Sequence, residues 1–366
     1  YAISSPIIWN KPIAIYTESP KNWAIIKATA SMSAMILGPS ESDTNLGARS
    51  FFSGLYLFGN NLADYGIRGA TNHTKFDSLR IEGTKVCALS IGFGWCNYFD
   101  NVECSSNYGD GINLQAFGGQ SNSVILTSCK VFSNDGVGVY AGFGNTVAFK
   151  SCTIEANKIA GIIISAQNAF SVDDCYFENN GETGYQFATP SKLVHADIIL
   201  NGSGINNIMS SAFPSSGSVS NCFLSSTNTE YFIYGPGTTY VTVENNVCTT
   251  DDSDTILFGV YGSETTSPSY GGPYGIKIRN NTGFSSDFEI SPISTVINYA
   301  GSALIDTVIN SASSVNYAVT SMDLWWNVAS GAGGAFKRSS ETFSKNRFAT
   351  VYDIEYGSAG SSNVYG

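Results

Sequence analysis

Short runs of alternating apolar residues recur along the chain at a near-constant interval: Val124 and Leu126, Val147 and Phe149, Phe170 and Val172, Val241 and Val243. Alternation with a period of two marks a strand with one buried face. A cysteine follows these runs. The steps from Cys129 to Cys152 and from Cys152 to Cys175 are both 23 residues, that from Cys104 to Cys129 is 25, and that from Cys175 to Cys222 is 47, close to two steps. Aligned on Cys, position five is Asn134, Asn157 and Asn180, and position nine is Gly138, Gly161 and Gly184. The member missing between Cys175 and Cys222 is expected at Ile198. Phe76 to Ile81 and Leu55 to Leu57 extend the spacing upstream.

A period near 23 with three short strands per repeat predicts an all-β parallel β-helix, because no coil of that length buries its inner face alone and stacked coils form columns of like residues. The Asn column is expected to bond side chain to backbone in tight turns. The Gly column is expected where a Cβ would clash or φ is positive. Leucine-rich repeats need more Leu, and a four-stranded propeller blade needs a longer repeat. The pattern divides the chain into opening coils and an N-terminal cap over 1–50, the β-helix proper over 51–299, and a small C-terminal β element over 300–366. In the last part the period is lost, and Trp325-Trp326, Phe336 and Phe343 suggest a cap or trimerisation element.

Composition agrees. There are 32 Ile against 15 Leu, with 22 Phe and 20 Tyr, and only 13% of residues are charged; β-branched and aromatic residues favour pleated surfaces. No apolar window is long enough for a membrane-spanning helix. The net charge of −11 opposes nucleic acid and anionic lipid as partners. The eight cysteines lack the paired spacing of zinc sites, and side chains stacked at strand spacing suit a relaxed disulfide poorly. They read as reduced. The first residues, Tyr1-Ala2-Ile3-Ser4, carry neither Met nor a basic leader, and further domains are expected upstream.

The repeat, the opening Ile7-Ile8-Trp9-Asn10-Lys11-Pro12-Ile13 and the turn Gly109-Asp110-Gly111-Ile112 together resemble the right-handed β-helix of bacteriophage tailspikes, within the pectate-lyase-like superfamily. The resemblance covers roughly residues 1–300. It implies a homotrimer at the virion tail, attached through a missing N-terminal part, that binds and endolytically cleaves bacterial capsular or O-antigen polysaccharide. Such a protein folds in the host cytoplasm, which agrees with reduced cysteines.

Glycoside hydrolysis needs two carboxylates, and two candidate columns supply them. Asp110 and Asp135 both lie six after Cys and are expected to start equivalent turns on neighbouring coils, with Lys158 and Glu182 continuing the row. Against this stands the common use of Asp before Gly as a turn former. Glu155 and Glu178 lie three after Cys, where two adjacent like charges raise one pKa; the alternative is two solvated surface residues. Tyr140, Tyr185, Tyr231 and Tyr234 are candidate platforms for sugar rings. His195 with Lys192, and Lys277 with Arg279, are the cations a uronate lyase would require. Cations are scarce, so hydrolysis is favoured over elimination. A third reading is a non-catalytic glycan-binding adhesin. No metal and no cofactor are expected, since no alternating Asp-x-Asp-x-Asp-Gly loop is present.

Overall fold

In a computed structural model, residues 1–17, 23–40, 48–165, 167–187, 192–201, 216–225, 229–235, 241–249, 255–261, 276–284, 289–291, 301–309 and 317–326 are described. The chain winds into a right-handed parallel β-helix of about nine turns with roughly 24 residues per turn. Each coil has three faces. The first is built by Val124–Thr127, Gly144–Lys150, Gln167–Asp173, Ser216–Ser220 and Val241–Glu244, each parallel to the next. The second follows a sharp corner and stacks Lys130–Phe132, Thr153–Glu155, Tyr176–Glu178 and Phe223–Leu224. The third stacks Ala63–Asn72, Cys87–Trp95, Asp110–Asn113, Val137–Ala141, Ala160–Ser165, Ala196–Asn201 and Tyr231–Tyr234.

The core is a set of columns running along the axis. Phe52, Phe76 and Phe99 stack face to face with ring centroids 5.4 and 4.9 Å apart. Trp9 closes the N-terminal end of this column, edge-on to Phe52 at 4.8 Å, and its indole N–H donates to Ser50 Oγ at 2.8 Å. A buried Trp needs such a partner for its N–H. Residues 1–50 are therefore already wound into the solenoid: Ala2–Ile3 pairs with Ala24–Ala28, and Ala14–Tyr16 with Phe51–Phe58. At the other end Gly301–Ile309 runs parallel to Ile276–Arg279 and antiparallel to Tyr317–Trp326; Phe336 and Phe343 lie outside the described residues.

The strand pairings correct the repeat in three places. Cys129, Cys152, Cys175 and Cys222 do occupy one column, just after the first corner. Cys104 and Cys248 do not. Cys104 pairs with Val131, and Cys248 with Leu224, two residues further along the coil. Secondly, Cys175 to Cys222 is one long coil rather than two, because Gln167–Asp173 pairs directly with Ser216–Ser220. Ile198 lies on the third face between Ile162 and Ile233, far from the expected Cys position. Thirdly, Gly184 is not in the glycine column. Gly111, Gly138 and Gly161 are, and a Cβ on Gly111 would stand 2.4 Å from Val131 Cγ1 and 2.6 Å from the Gly138 carbonyl oxygen. The next occupant is Asp197, the register partner of Gly161.

Two corners explain how the coil bends. The residue before the Cys column adopts left-handed φ in coil after coil: Asn101, Ser128, Ser151, Asp174 and Asn221 all lie between 52° and 55°. A second left-handed residue (Ser106, Ser133, Ala156, Asn179) precedes each member of the Asn column. That column is continuous and fully internal. Asn107 donates to Asn134 at 2.8 Å, Asn134 to Asn157 at 2.9 Å, and Asn157 to Asn180 at 2.9 Å. Each Nδ2 also reaches a backbone carbonyl, as Asn157 does to Val131 at 2.9 Å. The expected side-chain-to-backbone bonding is present, with a side-chain ladder added. All eight cysteines are free, and seven are buried.

Candidate active site

The four candidate carboxylates do not behave alike. Asp110 and Asp135 are two residues out of register: Ile112 pairs with Val139, so Asp110 is level with Val137 and Asp135 with Tyr108. The expectation of equivalent turns fails because it was counted from Cys104, which is itself two residues off the column. Asp110 is half-buried and its Oδ1 accepts the Val137 N–H at 2.9 Å; burial pushes its pKa up against that bond. Asp135 lies on the solvent side of its turn and pairs with Lys158 Nζ at 2.6 Å. That hydrogen bond raises the Lys158 pKa, and Glu182 adds to it. Asp135, Lys158 and Glu182 thus form the expected row, without Asp110.

Glu155 and Glu178 are brought together. They are direct register partners on neighbouring coils of the second face, where strands lie about 4.8 Å apart. Partial burial, and then the charge of Glu178, push the Glu155 pKa up, with Lys130 opposing. Neither carboxylate forms a salt bridge to a described residue, unlike Asp77 and Asp100 around Lys75 or Glu82 and Glu103 around Arg80. The Tyr176 hydroxyl donates to Glu178 Oε2 at 2.6 Å. Its ring stacks on Phe223 of the next coil, centroids 5.7 Å apart and planes 13° from parallel, and Phe223 is 41% exposed. Two coupled carboxylates therefore sit beside an open aromatic surface. The aromatic pair escaped notice in the sequence, although position one after the true Cys column (Lys130, Thr153, Tyr176, Phe223) is an outward column that could be read there.

The third face is covered where the chain makes its excursion. Tyr185–Phe187 and Lys192–Val194 form an antiparallel hairpin, against which Ile163, Ile199, Tyr231 and Tyr234 pack. Tyr231 and Tyr234 point away from the core but are buried beneath this hairpin, so they offer no sugar platform. Tyr140 and Tyr185 lie partly buried at the edge of the same cluster; burial raises the Tyr185 pKa, with Tyr140 contributing. His195 holds the base of the hairpin, its Nδ1 2.7 Å from the Gly181 carbonyl oxygen. The side chains of Lys192, Lys277 and Arg279 lie outside the described residues. Among the described residues no group of three or more His, Cys, Asp and Glu could hold a metal ion, and no helix is long and apolar enough to cross a membrane.

The winding, the internal columns and the solvent-facing ladders define the class of right-handed β-helices, and the family described as "Right handed beta helix region" matches residues 59–218. Among solved structures, the chain is similar to the catalytic unit of an α-1,3-glucanase from Streptomyces thermodiastaticus, with 13% identity and a TM-score of 0.54, over 85% of this chain and 60% of that one. It is also similar to a DFA-IIIase from Arthrobacter chlorophenolicus (10% identity, TM-score 0.52, 85% and 81% of the two chains). An alginate lyase from a Paenibacillus species gives 10% identity and a TM-score of 0.50, over 76% and 96%. At these identities the likeness is one of fold. No curated protein sequence matches the chain.

Proposed function

We propose that this protein is a carbohydrate-active enzyme that cleaves a bacterial surface polysaccharide within the chain by glycosidic hydrolysis, with Glu155 and Glu178 as the catalytic pair. The observation that carries the reading is the register pairing of these two glutamates beside the stacked Tyr176 and Phe223. Carboxylates on adjacent strands fall near the shorter of the two separations used in glycoside hydrolysis, about 5–5.5 Å, at which one attacks the anomeric carbon and the other is the acid. Glu155, whose pKa partial burial and then the Glu178 charge push up, suits the general acid. Glu178, which accepts the Tyr176 hydroxyl, suits the nucleophile. The aromatic pair would hold a sugar ring by stacking. Asp110 is engaged with the backbone and Asp135 with Lys158, which leaves the glutamates as the better pair. Glucan- and alginate-acting proteins among the structural neighbours support a polysaccharide substrate.

In the same reading the chain belongs to a homotrimeric phage tailspike carried on the virion tail. Light scattering should give about three times 38.9 kDa, and a monomer at micromolar concentration would overturn the trimer. The activity is tested by reducing-end release from purified capsular or O-antigen polysaccharide. New ends without absorbance near 235 nm support hydrolysis. Absorbance with new ends means a lyase, and binding without new ends means an adhesin.

A further inference from the structure

Arg68 is held in an unusual way. It lies on Ala63–Asn72 of the third face, and its guanidinium is over two aromatic rings, 4.5 Å from the Tyr65 centroid and 4.4 Å from that of Phe117. Among the described residues its buried Nε has no hydrogen-bond partner, and no salt bridge involves it. Arg80 shows what the same chain does when such a group is satisfied internally. It too stacks on an aromatic ring, Tyr56 at 5.0 Å, but Glu82 and Glu103 take its donors at 2.9 and 3.3 Å. Arg68 has the stacked cation without the carboxylates. In a chain of net charge −11, a guanidinium with no salt bridge among the described residues is conspicuous.

We propose that Arg68 anchors a second saccharide-binding site on the third face, taking the carboxylate of an acidic sugar edge-on in the plane of its guanidinium. Two aromatic rings lie within 4.5 Å of the cation, and a carboxylate that approaches in the guanidinium plane leaves both contacts in place. The planar fork matches a carboxylate through two parallel charge-assisted hydrogen bonds, a geometry that an ammonium cannot offer. Contact with the two rings restrains the fork, so less side-chain entropy is lost on binding. The register row of Arg68 runs on past the buried Ser90 to the partly exposed Asn113 and Tyr140 on successive coils. A sugar chain lying along the axis would pass from the cation to further polar side chains. The globally acidic surface repels an anionic polymer at long range, so a local cation of this kind is what would let such a polymer dock. The inference rests on the polysaccharide reading but not on Glu155 and Glu178, which face another side of the coil.

The test is affinity electrophoresis through gels containing alginate, hyaluronan, dextran sulfate or neutral dextran. A Glu155→Gln background is used throughout, so that no polymer is cut. Retardation is expected in at least one of the two carboxylate gels. Arg68→Gln and Arg68→Lys should each weaken it about tenfold or more, since Lys keeps the charge and loses the fork. Phe117→Ala, which leaves Arg68 in place but uncovers it, should weaken retardation less. This variant also carries the test should Arg68→Gln lose its circular dichroism transition. Equal retardation of Arg68→Gln and its parent overturns the site, and full rescue by Lys overturns the fork. Retardation by dextran sulfate alone overturns the carboxylate. Retardation by dextran with none in the carboxylate gels sinks this inference and spares the polysaccharide reading. No retardation in any gel sinks both.

Discussion

Asn180 donates its side-chain amide to Oδ1 of Asp197 at 2.8 Å, and there the internal asparagine ladder ends on an ionisable group. The other oxygen accepts Thr229 Oγ1 at 3.3 Å. Asp197 is fully buried, and burial raises its pKa from 3.8 to about 7 in spite of both bonds. A raised folded-state pKa means that the folded protein binds a proton which the unfolded chain has released. Stability from this group is complete below about pH 4 and is lost as pH rises towards 7. A displacement of about three pKa units corresponds to roughly 4 kcal/mol. Asp197→Asn keeps the shape and removes the charge. The difference in thermal midpoint between the variant and its parent should therefore widen in the variant's favour from pH 5 to pH 8, and a pH-independent difference would refute the assignment.

Either glutamate of the proposed catalytic pair can be removed without disturbing the coil, because both are partly exposed on the second face. Glu155→Gln and Glu178→Gln should each lower kcat by roughly 10²- to 10⁴-fold, the usual contribution of a positioned acid or base, with an unchanged circular dichroism spectrum. Part of the upward push on Glu155 comes from Glu178. In residual turnover of Glu178→Gln, the alkaline limb of the pH profile should move to lower pH.

Asp135→Asn breaks the ion pair with Lys158 on an exposed turn. Exposed pairs contribute little, so neither the thermal midpoint nor reducing-end release should change. A loss of turnover comparable to that of Glu155→Gln would return the active site to the turns before the third face.

Asn157→Ala removes the middle rung of the ladder. The buried side-chain donor of Asn134 loses its acceptor and the Val131 carbonyl loses its side-chain donor, while the Asn180 oxygen keeps the backbone N–H of residue 157. An unsatisfied buried polar group costs about 1–3 kcal/mol, so the denaturant midpoint should fall clearly. Ser128→Ala, at a solvent-facing left-handed corner, should cost much less; equal losses would mean that the ladder is dispensable.

The solenoid was legible in the sequence because strands of one face recur wherever the coil is short, and Cys129, Cys152 and Cys175 mark that recurrence. The register was less legible. Val102 fills the Cys position in the coil of Cys104, as the pairing of Glu103 with Lys130 requires, and Asn246 fills it after Cys222, whose N–H bonds to its side chain at 2.9 Å. Cysteine, valine and asparagine all fit this position, so cysteine alone does not fix phase. Glu155 and Glu178 were counted from true members of the column and their pairing held. Asp110 was counted from Cys104 and its pairing with Asp135 did not. The left-handed serines and Ala156 carry no sequence signal of their own, since the neighbouring coils impose their φ. Nothing in the sequence marks Asp197 as buried, because its burial depends on the coils on either side.

The circuit from Asp173 to its register partner Ser220 takes 47 residues, where Ser151 to Asp174 takes 23, yet both circuits advance the helix by one strand. Extra chain is spent sideways and never lengthwise. Ornament can thus be exchanged at residues 181–195 without altering the pitch of the shaft, much as teeth on a key are recut while the blade stays the same. Divergence in what the molecule grips is then decoupled from divergence in what holds it together.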